Sequence, residues 1–154
     1  MTWNGASMTQ AGTVQFSTNS SATLFYLDDP ATGNNTLSAS WTNSQDCVMS
    51  AACFDGVGSY VSGDTVQNST NTVTITAAAG DATVSVYNCD GGTPVGDKTA
   101  IFANSALGPS AAGNYNLGAT STHTYEIGSS SARVTLGLHL QAAGSGTRPL
   151  FRPA

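Results

Sequence analysis

The chain predicts an all-β fold: a two-sheet antiparallel β-sandwich, jelly-roll-like, over residues 1–142, followed by an extended C-terminal arm over residues 143–154. Three observations carry this expectation. Apolar and polar residues alternate at period two, the pattern of strands with one buried face. Turn signals such as Asp28-Asp29-Pro30, Asp55-Gly56 and Gly80-Asp81 break the alternation every ~10–20 residues, as in sandwiches and barrels. Capped segments of helical periodicity are almost absent.

The elements follow in order. Ala22–Leu27 is an aromatic-rich strand that stops at the Asp28-Asp29-Pro30 turn. Asn35–Thr42 places Leu37, Ala39 and Trp41 on one face. Cys47–Phe54 reads as a mostly apolar strand ended by Asp55-Gly56. Thr72–Thr76 alternates cleanly, and Gly80-Asp81 turns the chain into a strand over Ala82–Cys89. Asp90–Pro94 breaks that strand, and Thr122–Ile127 supplies another. Arg133–Gln141 is the clearest, with Val134, Leu136, Leu138 and Leu140 on one face and His139 on the other, toward solvent or a partner. The sandwich interior is expected to include Leu37, Trp41, Phe54, Val84, Val86, Leu136 and Leu138. Asp97–Leu107 holds at most a short helical turn. Ala103–Ala119, rich in Ala, Gly, Ser and Asn, reads as a long surface loop.

Composition narrows the function classes. A chain of 154 residues makes one domain with a real hydrophobic core. No apolar run approaches the ~20 residues of a spanning helix, so membrane insertion is not expected. A net charge of −5 and a pI near 4.4 argue against a nucleic-acid partner, which demands clustered Lys and Arg. Only 8% of residues are charged, against about 25% in ordinary soluble domains. The surface must be Thr, Ser, Asn, Gly and Ala, which packs closely against neighbours with little charge repulsion. Met1 leads directly into Thr2-Trp3-Asn4-Gly5, without the basic and apolar regions of an export signal, and reads as a protein that works without secretion.

The candidate contact residues lie at the two ends. Two of the four basic residues bracket the segment Arg148, Pro149, Leu150, Phe151, Arg152. After the flexible lead from Gly144 to Thr147, this segment reads as a stiff, cationic, apolar anchor for a partner subunit. Chemistry-bearing motifs are sparse. No Gly-x-Ser-x-Gly elbow occurs, so no catalytic residue is assigned, and the chain reads as non-enzymatic with no cofactor.

Cys47 and Cys53 would stand about 20 Å apart on one strand. That exceeds the ~4.4–6.8 Å of a disulfide, unless a bulge or bend intervenes. Either could instead pair with Cys89, although three buried free thiols are the simpler reading. Without Cys-x-x-Cys, zinc is not expected. Asp28, Asp29 and Asn34, with Asn35, offer oxygen ligands of the kind Ca²⁺ takes, but the same residues serve turns through their own hydrogen bonds. Tyr60 and Tyr115, in stretches that read as loops, are the candidate platform for a glycan.

Three stretches carry a family resemblance: Thr2–Thr9, Ala22–Gly33 with Thr36 and Trp41, and Ala52–Val57. They resemble an uncharacterised β-sandwich module, jelly-roll or concanavalin-like, of bacterial and archaeal surface proteins and of structural proteins of tailed phages. The resemblance covers roughly residues 1 to 90 and rests on turns and strand ends. It implies a fold and carries over no catalytic residue. Such modules usually place an apolar strand before the Trp-Asn-Gly turn, whereas this chain opens at the turn. Trp3 is therefore expected at an open sheet edge, completed by a neighbouring chain or by a distant segment of the same one. Together these features predict a virion protein, assembled in a host cytoplasm. It would be a phage capsid decoration or minor surface component that packs against copies of itself and a capsid or other lattice protein. The alternative is a carbohydrate-binding or adhesive module of an extracellular or cell-surface assembly.

Overall fold

The computed structural model describes residues 1–16, 20–42, 47–66, 70–90, 92–104, 109–126 and 133–143, with side chains throughout except at residues 16, 20, 60–66, 90 and 109. In chain order the strands are β1 (Thr2–Trp3), β2 (Ala6–Ser7), β3 (Thr9–Phe16), β4 (Ser20–Tyr26), β5 (Leu37–Ser38), β6 (Val57–Val66), β7 (Thr72–Ile75), β8 (Ala82–Asp90), β9 (Val95–Gly96), β10 (Thr99–Asn104), β11 (Pro109–Leu117), β12 (Ser121–Glu126) and β13 (Arg133–Ala142). The fold is all-β and every described strand pair is antiparallel.

The body is a five-stranded sheet of order β10-β11-β8-β13-β6 packed against a three-stranded sheet of order β7-β12-β9. From β6 onward the chain passes between these two sheets at most of its turns. Alternation on β8 assigns the two faces. Ala82, Val84 and Val86 point one way, while Thr83, Ser85, Tyr87 and Cys89 point toward β12. The second group meets His123 and Tyr125 of β12. The first group is covered by the β3–β4 hairpin, through Val14, Ala22 and Leu24. The central sheet is thus enclosed on both faces, and β13 is buried almost continuously from Val134 to Leu138.

Backbone approach is close where the layers meet. A methyl group on Gly137 would lie 2.6 Å from Ile75 of the facing sheet, so only glycine lets β7 sit this near. Toward the hairpin the fit is looser: a would-be Cβ on Gly12 meets Leu136 Cδ1 at 3.4 Å, ordinary van der Waals contact.

Several sequence expectations hold. The strands over β4, β7, β8, β12 and β13 form as the alternation predicts, and Val84, Leu136 and Leu138 are core residues. Phe54 and Val86 pack at the core's margin. Others are corrected. Trp41 is 47% exposed, because only Leu37–Ser38 of its predicted strand finds a partner. Cys47–Cys53 forms no strand. Where the sequence allows Asp97–Leu107 at most a short helical turn, its described part contains β10.

The largest correction is the stretch Ala103–Ala119, which holds β11, a strand paired along its whole length with β8. Its small residues are not loop chemistry. A Cβ on Gly113 would come within 2.5 Å of the Phe102 ring, and Ala112 packs into the Tyr87–Tyr125 cluster on the other side. A strand pressed by aromatic rings on both faces has room for little else.

Candidate functional site

Two polar constellations and one surface stand out among the described residues. The first constellation is sealed between the two sheets. His123, on β12, has no solvent exposure. Its Nε2 lies 2.8 Å from Thr83 Oγ1 and its Nδ1 lies 2.9 Å from Ser85 Oγ. Ser85 Oγ is also 2.6 Å from the Tyr125 hydroxyl, which donates to the Ser85 carbonyl at 3.1 Å. A neutral imidazole closes this network fully. With Nδ1 protonated it donates to Ser85, Ser85 donates to Tyr125, and Thr83 donates to Nε2.

Burial disfavours the imidazolium and takes the His123 pKa down to about 4, with Asp97 pulling the other way and Lys98 adding slightly. Burial likewise pushes the Tyr125 phenol well up, as it does that of Tyr87, whose ring stacks on Tyr125 at 4.9 Å. Ser85 and His123 are both wholly buried.

The second constellation is centred on Asp81, where the chain turns from β7 into β8. Its Oδ2 meets His139 Nε2 at 2.6 Å and accepts from Ala78 N at 3.1 Å, while its Oδ1 accepts from Ala142 N at 2.9 Å. Its carbonyl accepts from Gly118 N at 2.7 Å. Burial opposes ionisation, but the Ala142 amide, His139 and the Ala78 amide outweigh it and hold the carboxyl below its usual range. One carboxylate thus ties together the β7–β8 turn and the end of β13, and its backbone adds the β11–β12 corner. His139, expected to face solvent or a partner, is instead the partner of Asp81.

The surface is built by the N-terminal half. Trp3↔Ala6 closes a two-residue hairpin, with Asn4 at φ 48° and Gly5 at φ 85°. Paired positive φ values are the type I′ turn that Asn-Gly favours. β1 is the central strand between β2 and β5. The edge expected to be completed by a neighbouring chain or by a distant segment of the same one is completed by the latter, Leu37–Ser38, and Asn4 N also donates to Thr36 O at 2.8 Å. Trp3 is half-buried, and its Nε1 donates to Ala31 O at 3.2 Å. Asn35 Nδ2 donates to Ala31 O and Gly33 O, so the Asx-rich loop is held by its own hydrogen bonds.

Asp28, Asp29 and Asn34 are exposed in this loop. No group of three His, Cys, Asp or Glu side chains is arranged for a metal among the described residues. Beyond the loop, Trp41 and Met49 are 47% and 41% exposed.

The remaining site expectations fall as follows. Tyr115 is no glycan platform: it is 9% exposed on β11, with its ring edge-on to Phe54 at 5.7 Å. Tyr60 lies in β6 opposite Leu140 rather than in a loop, and its side chain falls outside the described residues. Arg148, Pro149, Leu150, Phe151 and Arg152 also lie outside them. No disulfide joins the three cysteines, and only Cys89 is buried. Cys53 is half-buried and Cys47 is exposed. Burial of its sulfur nevertheless pushes the Cys47 thiol up.

Sequence reasoning missed Asp81 and the His123 cluster. The signals were present: a carboxylate just after a turn glycine, and hydroxyl, imidazole and phenol at alternate positions of Ser121–Tyr125. Comparison with known proteins adds no relative, since no family model, curated protein or solved structure matches the chain.

Proposed function

We propose that this chain is a non-enzymatic structural component of a larger assembly, namely a virion surface protein of the capsid-decoration or minor-component kind. It would pack against copies of itself and a lattice protein. The observation that carries the reading is a surface almost without charge that leaves large apolar side chains open. Trp41, Met49, Val95 and Leu117 are 47%, 41%, 60% and 47% exposed on a chain only 8% charged. Such side chains gain most where a neighbour removes them from water. The low content of Lys and Glu reduces the side-chain entropy lost on packing. The interior supports the same reading, because its imidazole and hydroxyl groups are spent on joining sheets. Arg148–Arg152 would add an anchoring arm.

The test is mass spectrometry of particles purified by density gradient from the producing culture. The protein should co-sediment at a fixed copy number relative to the major lattice protein. Its absence from particles, with the protein abundant in the soluble fraction, rejects the reading.

A further inference from the structure

Arg133 opens β13 on the face of the central sheet that meets β12. In the register it stands opposite Cys89 of β8, and Cys89 stands opposite Ser110 of β11. One pair further in, Tyr87 lies between Thr135 and Ala112. Directly paired residues share a sheet face, so these side chains form one patch at an end of the seam between the sheets. Tyr87, Cys89, Ser110, Ala112 and Thr135 are buried, and Arg133 is half-buried.

Two donors in this patch lack an acceptor. The Tyr87 hydroxyl and the Arg133 Nε are both buried with no hydrogen-bond partner. They belong to one neighbourhood. Burial is the main cause of the raised Tyr87 pKa, and the Cys89 thiol and the Arg133 guanidinium both lie near enough to act on the phenol, the first upward and the second downward. The thiol adjoins the hydroxyl, but sulfur is a weak acceptor and leaves its proton without a proper partner. No ion pair with another described residue involves Arg133; those pairs are Lys98 with Asp97 and His139 with Asp81.

Neither donor can escape by changing its protonation. A guanidinium stays charged in proteins, and burial keeps the phenol protonated. Buried arginines are almost always paired, because an uncompensated charge away from water is costly. The missing group is therefore an acceptor, and beside a guanidinium a negatively charged acceptor gives the strongest bond. The closed packing of Cys89, Ser110 and Thr135 limits its size. We infer that the Tyr87 hydroxyl and the Arg133 guanidinium bind one small inorganic anion, of halide size, at this end of the seam. Arg133, the member of the patch that reaches solvent, marks its route in. The bound ion ties β8 to β13 and stabilises the folded chain by mass action.

The experiment follows thermal unfolding of the full chain by circular dichroism while sodium chloride replaces sodium gluconate at constant ionic strength, so that screening stays fixed. Raising chloride from about 10 to about 300 mM should raise the melting temperature by about 3 °C. Tyr87→Phe keeps the stacked ring and removes only the hydroxyl, and Arg133→Met keeps an unbranched side chain and removes the charge. In each, the rise should fall below about 1 °C. In gluconate Tyr87→Phe should be at least as stable as the unaltered chain, because it strands no donor, and in chloride it should be the less stable of the two. Chlorine NMR reads the ion itself: the unaltered chain should broaden the chloride line, and both variants should do so by half as much or less.

A melting temperature indifferent to chloride, with no broadening of the chloride line, overturns the inference. Chloride effects of equal size in the unaltered chain and both variants also overturn it, by placing the ion elsewhere. Should Arg133→Met not fold, Tyr87→Phe decides the question alone.

Discussion

Acidification should weaken the fold through His123 well before any carboxylate is lost. The imidazole is sealed between β8 and β12, and its pKa falls from 6.5 to about 4 on folding. The unfolded chain therefore binds a proton that the folded chain refuses. The stabilisation is fully present above pH 6.5 and is lost as pH falls toward 4. Linkage gives a loss of about 1 kcal/mol by pH 5.5, growing to roughly 2–3 kcal/mol by pH 4.5. Those are large fractions of an ordinary domain's ~5–15 kcal/mol.

Urea denaturation at half-unit steps of pH measures it directly, with the midpoint falling as the solution is acidified. His123→Gln, lacking the titrating group, should be less stable at pH 7 but flatter between pH 7 and 5. Should that variant not fold, an NMR titration of the wild-type His123 ring gives the same answer. A wild-type midpoint that does not move between pH 7 and 5, or a ring that titrates near 6.5, refutes the argument.

Asp81→Ala should cost about 3–5 kcal/mol in urea denaturation, because it strands His139 and the Ala78 and Ala142 amides at once. Asp81→Asn should cost less, since one carbonyl oxygen can still accept. Leu136→Ala, at a side chain 2% exposed beneath the β3–β4 hairpin, should cost ~2–5 kcal/mol by thermal or chemical denaturation. Gly137→Ala should cost ~1–3 kcal/mol by forcing Ile75 and β7 outward. Reductant should leave the melting temperature unchanged, because no disulfide joins the three cysteines.

Much of the strand framework was legible in the sequence, and the reason is periodicity. Thr72–Ile75, Ala82–Asp90, Ser121–Glu126 and Arg133–Ala142 each alternate, and each is a strand. Alternation reports a strand but not which elements cover its faces. The pattern on β13 suggests one buried face, yet Thr135 and Gly137 on the other are also buried, beneath β7. Small or hydroxyl-bearing residues there mark close approach by a second sheet, and in a chain so rich in Thr, Ser and Gly they cannot be told from solvent-facing ones. β11 was lost for the same reason. Trp41 erred in the opposite direction: its hydrophobicity promised burial, but its strand found only two residues of pairing.

The same ambiguity hid the open apolar side chains. Trp41 reads as core, yet it stands 47% exposed because the central sheet closes without it. The interior takes its polar residues in matched sets: Asp81 with His139, and His123 with Thr83, Ser85 and Tyr125. Two imidazoles and a carboxylate are used to pin sheets and corners. What remains outward-facing and unsatisfied is apolar, and apolar surface on a nearly uncharged chain is the property that packing against a neighbour uses.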